Sequence, residues 1–193
     1  NVNGSPFNQD IGSWDVSDVT NMAWMFRWAE AFNQDLSSWD VSNVMDMNLM
    51  FAEAASFNQD IGSWDVSNVR GLYGTFAATA FNQDIGSWNV SNVTSMNDMF
   101  GGTIAFNQDI GSWDVSKVTD ISGMFFAATS FNQDIGSWDV SNVENIHWMF
   151  RSAESFNQDL SNWDVNNVTI CYQFSLYADA WTEPKPNFTN CEE

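Results

Sequence analysis

Two columns of carboxylates recur along this 193-residue chain at nearly constant spacing. One is the aspartate of a repeated FNQD motif, and the other is the aspartate of a repeated W-D-V motif, replaced once by Asn89. Paired carboxylates hydrolyse glycosidic bonds when two different environments separate their pKa values. Here every pair lies in nearly the same sequence context, so that asymmetry is missing. The FNQD column is Asp10, Asp35, Asp60, Asp84, Asp109, Asp134 and Asp159, and the W-D-V column is Asp15, Asp40, Asp65, Asp114, Asp139 and Asp164.

Other catalytic constellations are also missing from the sequence. His147 is the single histidine, and no nucleophile motif accompanies it. There is no glycine-rich phosphate loop and no Cys/His spacing for a metal. We therefore predict that the protein is not an enzyme, with no catalytic residue and no bound cofactor.

The W-D-V column carries one cation hypothesis. Its aspartates alternate with Trp and Val, so they should face solvent, where neighbouring carboxylates about 4.8 Å apart would repel each other. Calcium would relieve that repulsion, but a calcium site needs more oxygen ligands than one column supplies. The alternative is a solvated acidic face. The FNQD aspartates are instead predicted to accept backbone N–H groups at tight turns.

Charge and hydropathy exclude two classes of partner. The chain has 25 acidic and 5 basic residues, a formal net charge of −20. Such a surface repels nucleic acid and anionic membranes. No apolar run approaches the roughly 20 residues of a membrane span. We predict neither nucleic-acid binding nor a transmembrane segment.

A repeat organises the whole chain. Successive units are 25 residues apart except for one interval of 24 residues, and this period is within the range of leucine-rich repeats. Because near-identical units recur without interruption, the columns belong to one stacked domain. The units begin at Phe7, Phe32, Phe57, Phe81, Phe106, Phe131 and Phe156.

Each unit combines two periodicities. In "SWDVS" the apolar residues alternate, which predicts a short strand with Trp64 and Val66 buried. The following stripe, as in Val19–Met22–Met25–Phe26–Ala29, has helical spacing. The predicted fold is an α/β solenoid, a leucine-rich-repeat-like right-handed superhelix of seven strand–helix units of about 25 residues. One domain covers residues 1–193, with repeats over 7–180 and a C-terminal cap or exchange segment over 181–193.

The motifs "FNQDIGSWDVSNV" and W-[DN]-V resemble those of the DUF285 or BspA-like family of bacterial and mycoplasmal surface proteins. The resemblance covers Phe7 to about Ala180. It implies a leucine-rich-repeat solenoid, extracellular or attached to the cell surface, without enzymatic activity and associated with adhesion or of unknown role. The seventh unit, "NNVTICYQFSLYADA", departs from the pattern by moving its Phe to position 174 and introducing Cys171.

The two cysteines point to the compartment. Cys171 and Cys191 both lie near the C-terminal end, which predicts a disulfide made in an oxidising environment; the alternative is two unrelated thiols. The chain starts at Asn1 without a methionine, as expected of a secreted protein whose signal peptide has been removed, or of an excised fragment. The predicted location is extracellular or on the cell surface.

Function should reside where the repeats differ. Some units carry bulky apolar residues at outward positions where others carry Gly or Ala, which indicates a contact surface, the alternative being that the bulky groups fold over neighbouring units. The short segment before Phe7 is not expected to cap the first unit. The leading hypothesis is a structural protein that self-assembles into filaments or a surface layer through its ends and an aromatic convex face. The alternative is an adhesin for a host protein or glycan. The predicted interface residues are Trp24, Trp28, Leu49, Tyr73, Phe126, Trp148 and Trp181.

Overall fold

The computed structural model describes residues 4–192, and within them the chain forms no helix and no strand longer than one residue. The chain winds into seven stacked coils, numbered 1 to 7 from Phe7 onward. Single parallel bridges join equivalent residues of consecutive coils, so the stack is in register from end to end. These bridges are Asn21↔Asp46, Asp46↔Gly71, Gly71↔Ser95, Ser95↔Asp120, Asp120↔Asn145 and Asn145↔Ile170.

The prediction of an α/β solenoid of leucine-rich-repeat type is therefore wrong, because its helices are absent. The stripe predicted as a helix is a succession of tight turns, in which the Met25 N–H donates to the Met22 carbonyl. The N–H groups between these turns donate to the next coil, as Trp24 does to the Asn48 carbonyl at 2.9 Å. We call this segment of each coil the turn ridge: 22–28, 47–53, 72–78, 96–102, 121–127, 146–152 and 171–177.

Left-handed residues explain why the turn ridge is not helical. Each ridge contains two residues with φ between 52° and 70°, four positions apart. Positive φ at the third residue of a hydrogen-bonded turn is the geometry of type II, and it stops helix propagation. The apolar spacing of three and four residues fits consecutive turns as well as it fits a helix. The residues are Trp24, Trp28, Leu49, Glu53, Gly74, Ala78, Asp98, Gly102, Gly123, Ala127, Trp148, Ser152, Gln173 and Tyr177.

The predicted strand in "SWDVS" is also replaced by turns. The Trp64 N–H donates to the Ile61 carbonyl and the Val69 N–H donates to the Val66 carbonyl. The predicted alternation of burial is nevertheless correct, since Trp64 and Val66 are buried and Asp65 is exposed. Sequence alternation therefore identified the buried face without identifying the backbone conformation.

Aromatic columns fill the core of the stack. The Phe51 ring of coil 2 stacks on the ring of Phe57, the first residue of coil 3, with centroids 3.8 Å apart, and the same pairing recurs between later coils. Each Trp of the W-[DN]-V motif from coil 2 onward also donates its indole Nε1–H to a carbonyl of the preceding coil, as Trp113 does to Ile85 at 3.2 Å. This bond matters because a buried N–H without an acceptor destabilises the folded state.

Asparagine side chains form a polar ladder beside the core. The Asn33 amide and the Gln34 side chain both donate to Asn8 Oδ1 of the preceding coil. The arrangement repeats to the last coil, where Asn157 Oδ1 accepts the N–H of Thr182. The repeated FNQ residues are therefore consumed by contacts between coils.

A truncated eighth coil covers the core half of coil 7. Trp181 stands 25 residues after Phe156, and Phe188 stands 25 residues after Trp163. The rings of both turn edge-on, Trp181 at 80° to Phe156, which ends the parallel stacking. A disulfide between Cys171 and Cys191 fastens this half coil to coil 7. Within residues 4–192 no helix is long and apolar enough to cross a membrane.

The 24-residue coil keeps its register through a side chain. After the ridge of coil 2, the N–H of Phe57, which begins coil 3, donates to the Ala54 carbonyl and closes the corner. Coil 3 is one residue shorter, and there Thr79 Oγ1 accepts the Phe81 N–H and donates to the Phe76 carbonyl at 2.7 Å. The hydroxyl thus replaces a backbone turn.

Thr79→Val is expected to lower the free energy of unfolding by about 1–3 kcal/mol, because it leaves a buried N–H without an acceptor. Urea denaturation followed by tryptophan fluorescence measures this loss. Thr94→Val is the matched control, since Thr94 is exposed and its hydroxyl donates over a longer 3.3 Å. Equal losses for both variants would contradict the role of Thr79.

The left-handed ridge positions predict opposite effects for Ala and Gly. Ala78→Gly is expected to stabilise the fold by about 0.5–1 kcal/mol. This is the strain of positive φ that the variant relieves, minus the extra chain entropy that glycine loses on folding. Gly102→Ala is expected to destabilise the fold by a similar amount, because alanine is strained at positive φ. Steric clashes add nothing to this loss, since the added Cβ meets only ordinary contacts at 3.7 Å or more. Urea denaturation of both variants tests the pair; effects of the same sign would contradict it.

Candidate functional site

The repeated aspartates serve their own turns. In coil 1, Asp10 Oδ1 accepts the Gly12 N–H at 3.0 Å, as predicted for the FNQD column. In the W-D-V column, Asp15 accepts both the hydroxyl and the N–H of Ser17, and these bonds lower the pKa of Asp15. The same bonds recur in later coils, so each carboxylate has the same local role.

The calcium hypothesis gains no ligand set from the structure. Within the described residues no group of three His, Cys, Asp or Glu side chains is placed to hold a metal ion. The pKa values of five carboxyls in this column are lowered by their own serine hydroxyls, and three also face the opposing effect of an aspartate in the preceding coil. The calcium candidates are Asp15, Asp40, Asp65, Asp114, Asp139 and Asp164, and the five carboxyls with a lowered pKa are those of Asp15, Asp40, Asp65, Asp114 and Asp139.

Arginine–aromatic clusters mark two parts of the turn ridge. In coil 1 the Arg27 guanidinium lies 4.5 Å from the Trp24 ring centre and 4.1 Å from that of Trp28. The Trp28 indole donates to Glu53 of the next coil at 2.9 Å. Trp24 and Trp28 remain 56% and 43% exposed. The side chains of this cluster therefore pack against one another, and both indoles remain partly exposed to solvent.

The second cluster lies in coils 5 and 6. Arg151 lies 5.3 Å from the Trp148 ring centre and 5.9 Å from that of Phe126 in the preceding coil. Tyr73, between the two clusters along the stack, is exposed. Stacking of an arginine on an aromatic ring stabilises the conformations of both side chains, and it leaves the opposite face of the ring free for another contact.

Two predicted interface residues are not at the surface. Leu49 is 8% exposed and Trp181 is 7% exposed, so the expectation that they form part of an outer contact surface is wrong. Leu49 lies within the ridge beside Gly74, and Trp181 packs in the half coil against Phe150 and Phe156. Their positions in the repeat did not reveal this, because Trp24 and Trp148 are exposed at the ridge position that Leu49 occupies, and the eighth coil encloses Trp181.

Asp98 is a half-buried carboxylate at a left-handed ridge position. Gly123 of the next coil leaves room for it, since a Cβ there would collide with Asp98 Oδ1. Burial raises the pKa of Asp98; His147 opposes this shift and Asp120 adds to it. The ionised form therefore costs folding free energy near neutral pH.

Asp98→Asn is expected to raise the melting temperature near neutral pH. An acid whose folded pKa is raised binds more protons folded than unfolded, so its contribution to stability falls as pH rises from the unfolded value through the folded one. The gain of the variant should therefore disappear at a pH below both values. Thermal denaturation across that range tests this; a gain that grows on acidification would contradict it.

The outer face of coil 1 is an apolar surface at the uncapped first unit, and the sequence did not reveal that it exposes Trp14. Trp14 is 54% exposed, whereas the other six tryptophans of its column are only 3–5% exposed. It borders a cavity of about 380 Å³ that is lined by Ser5, Phe7, Ile11, Trp14, Met25, Phe26, Arg27 and Ala29. The available signal was position, since Trp14 is the first member of the column and has no preceding coil within residues 4–192 to receive its N–H.

Comparison with known proteins identifies a family and no function. A family model described as a Mycoplasma protein of unknown function, DUF285, matches residues 2–83 and 71–187. This match confirms the resemblance carried by the FNQD and W-[DN]-V motifs. No curated protein and no solved structure matches the chain.

Proposed function

We propose a structural role for this chain, which belongs to the DUF285 family of proteins of unknown function. Its copies associate outside the cell through the ends of the stack and the aromatic groups of the turn ridge, without enzymatic activity. The observation that carries the proposal is the open face of coil 1. Trp14 there is 54% exposed, whereas the other tryptophans of its column are 3–5% exposed, and an exposed apolar surface of this kind is typical of a protein–protein interface.

The use of the repeated residues supports a structural role. The Asn ladder, the Asp turns and the indole N–H groups all bind within or between coils. No pair of repeated carboxylates has the contrasting environments that acid–base catalysis needs. What differs between coils is the ridge surface, where the arginine–aromatic clusters lie.

The disulfide supports an extracellular location. Disulfides persist in oxidising compartments and are rare in the cytosol. The bond between Cys171 and Cys191 adds a covalent link to the half coil, which also contacts coil 7 through aromatic packing and polar bonds such as that from Thr182 to Asn157. A chain used outside the cell gains durability from this fastening.

Sedimentation velocity over a range of protein concentrations tests the proposal. The oxidised chain should associate as concentration rises, and more so in added salt, which screens repulsion between copies of net charge −20. Trp14→Asp should abolish association. Ile104→Asp, at a site 61% exposed on the side of the stack, is the matched control and should leave it intact. A monomer at every concentration would contradict the proposal.

The alternative function is that of a binding module for a host protein or glycan. It is favoured by the exposed indole faces of Trp24 and Trp28 on either side of Arg27, a surface suited to stacking with a partner. Under this alternative the purified chain stays monomeric and binds members of a glycan or host-protein array. Trp24→Ala and Trp28→Ala should then remove that binding while Ile104→Asp retains it.

A further inference from the structure

The six interfaces between coils use one hydrogen-bond pattern. Alternate N–H groups of one ridge donate to alternate carbonyls of the next ridge, four bonds at each interface. Between coils 1 and 2, for example, the donors Met22 and Trp24 reach the carbonyls of Asp46 and Asn48. Within the ridges the pattern has a direction, because the earlier ridge supplies the N–H groups and the later ridge supplies the carbonyls. Just before each ridge a single bond runs the other way, as from the Met45 N–H to the Thr20 carbonyl.

Coil 1 therefore ends in acceptors. The carbonyls of Asn21, Ala23, Met25 and Arg27 correspond to those that accept ridge bonds in every later coil. Within residues 4–192 none of the four accepts a hydrogen bond. A row of unpaired backbone carbonyls beside an apolar face is an edge that favours pairing with another chain.

Coil 7 ends in donors. The N–H groups of Gln173 and Tyr177 correspond to the ridge donors of every earlier coil, and within the described part of the chain neither has a backbone acceptor. The half coil over 181–190 covers the core side of coil 7 and contacts the ridge at Ser175 through Lys185, while Tyr172 and Tyr177 at the ridge remain 58% and 60% exposed.

We infer that the partner at the open face of coil 1 is coil 7 of a second copy, bound head to tail in the register that joins the coils internally. The inference rests on the proposed function and specifies its contact. Two coil 1 ridges cannot pair through these groups, because carbonyls face carbonyls, and two coil 7 ridges bring N–H groups against N–H groups. The contact is heterologous, so it propagates from copy to copy unless it closes into a ring.

The side chains fit the same register. Within the stack, Arg151 stacks against Phe126, the residue at the same ridge position of the preceding coil, with 5.9 Å between guanidinium and ring centre. For Arg27 that preceding position is filled, in a head-to-tail pair, by Leu176 of the second copy, with Tyr177 adjacent. Arg27 lines the open cavity and its Nε has no partner within residues 4–192. An aromatic-rich edge thus meets an arginine that lacks one neighbour.

Disulfide trapping tests the direction of the contact. Trp28 and Tyr177 occupy equivalent ridge positions at the two ends, and both are exposed. Purified Trp28→Cys and Tyr177→Cys chains are oxidised separately and as a mixture, and dimers are read on non-reducing gels. The expected result is a cross-linked dimer in the mixture and no such dimer when either variant is oxidised alone. Trp28→Cys mixed with Ile104→Cys is the off-edge control and should give none.

The outcomes separate the two proposals. If wild-type chain sediments as a monomer at every concentration, both the structural role and the head-to-tail contact are overturned. If it associates but Trp28→Cys cross-links to itself, or cross-links equally to Ile104→Cys, self-assembly stands and the head-to-tail contact is wrong. Peptide mapping by mass spectrometry should detect the Cys171–Cys191 bond in every variant, which shows that the native disulfide has not exchanged.

Discussion

Trp113→Ala is expected to lower the free energy of unfolding by about 3–5 kcal/mol. The side chain is 4% exposed, so its removal leaves a cavity in the middle of the stack. It also removes the indole bond to the Ile85 carbonyl, 3.2 Å long, that ties coil 5 to coil 4. Because each coil is stabilised by its neighbours, we expect the denaturation curve to broaden or split. Urea denaturation, followed by circular dichroism at concentrations where the chain is monomeric, measures both effects.

Two variants separate the causes of this loss. Trp113→Phe keeps a ring in the column and removes the N–H, so it should cost about 1–2 kcal/mol. Trp14→Ala changes the same residue type in coil 1, where no preceding coil covers the ring within residues 4–192, and should cost less than about 1 kcal/mol in the monomer. A Trp14→Ala loss as large as that of Trp113→Ala would contradict the role assigned to stacking between coils.

Removal of the Cys171–Cys191 disulfide is expected to cost roughly 3 kcal/mol, as the entropy of closing a loop between cysteines 20 residues apart predicts. The effect should be local. Residues 181–190 and the ridge of coil 7 should lose amide protection from hydrogen exchange, while coils 1 to 4 keep theirs, because coils contact only their neighbours. Hydrogen exchange read by mass spectrometry on oxidised and reduced chains measures this distribution.

The double variant Cys171→Ala/Cys191→Ala is the control for reduction. Cys171 is buried, so this variant also loses a small amount of packing, and reducing agent should not change it further. Loss of protection spread evenly over all seven coils, or confined to coil 1, would contradict the proposed fastening of the half coil.

The sequence predicted what is buried better than how the backbone runs. The period of 25 residues, the inward Trp column from coil 2 onward and the turn role of the FNQD aspartates all agree with the structure. The helices do not, because a stripe such as Met22, Met25 and Phe26 is equally compatible with consecutive type II turns. Only residues such as Gly74, Gly102 and Gly123 hinted at positive φ, and tryptophan occupies the same positions in other coils.

The candidate contact surface was only partly visible in the sequence. Trp24, Trp28 and Trp148 could be recognised as extra tryptophans outside the repeated column, and they are exposed. The uncapped first coil was expected from the short segment before Phe7, but its unpaired ridge groups were not, since they are backbone carbonyls that every residue possesses. The eighth half coil was also hidden, because Trp181 and Phe188 exchange the residue types of the Phe and Trp columns.

The corner between the ridge and the next repeated Phe is where a coil tolerates a change of length. In coil 3 one residue is absent there, and the hydroxyl of Thr79 closes the corner while the ridge and core stay in register. Neighbouring coils place this exposed corner at intervals set by their stacking, about 4.8 Å for paired backbones. Foreign peptides inserted at successive corners, such as after Ala55 or Ala80, would therefore be displayed in a row of fixed pitch, which makes the chain a scaffold for multivalent antigens.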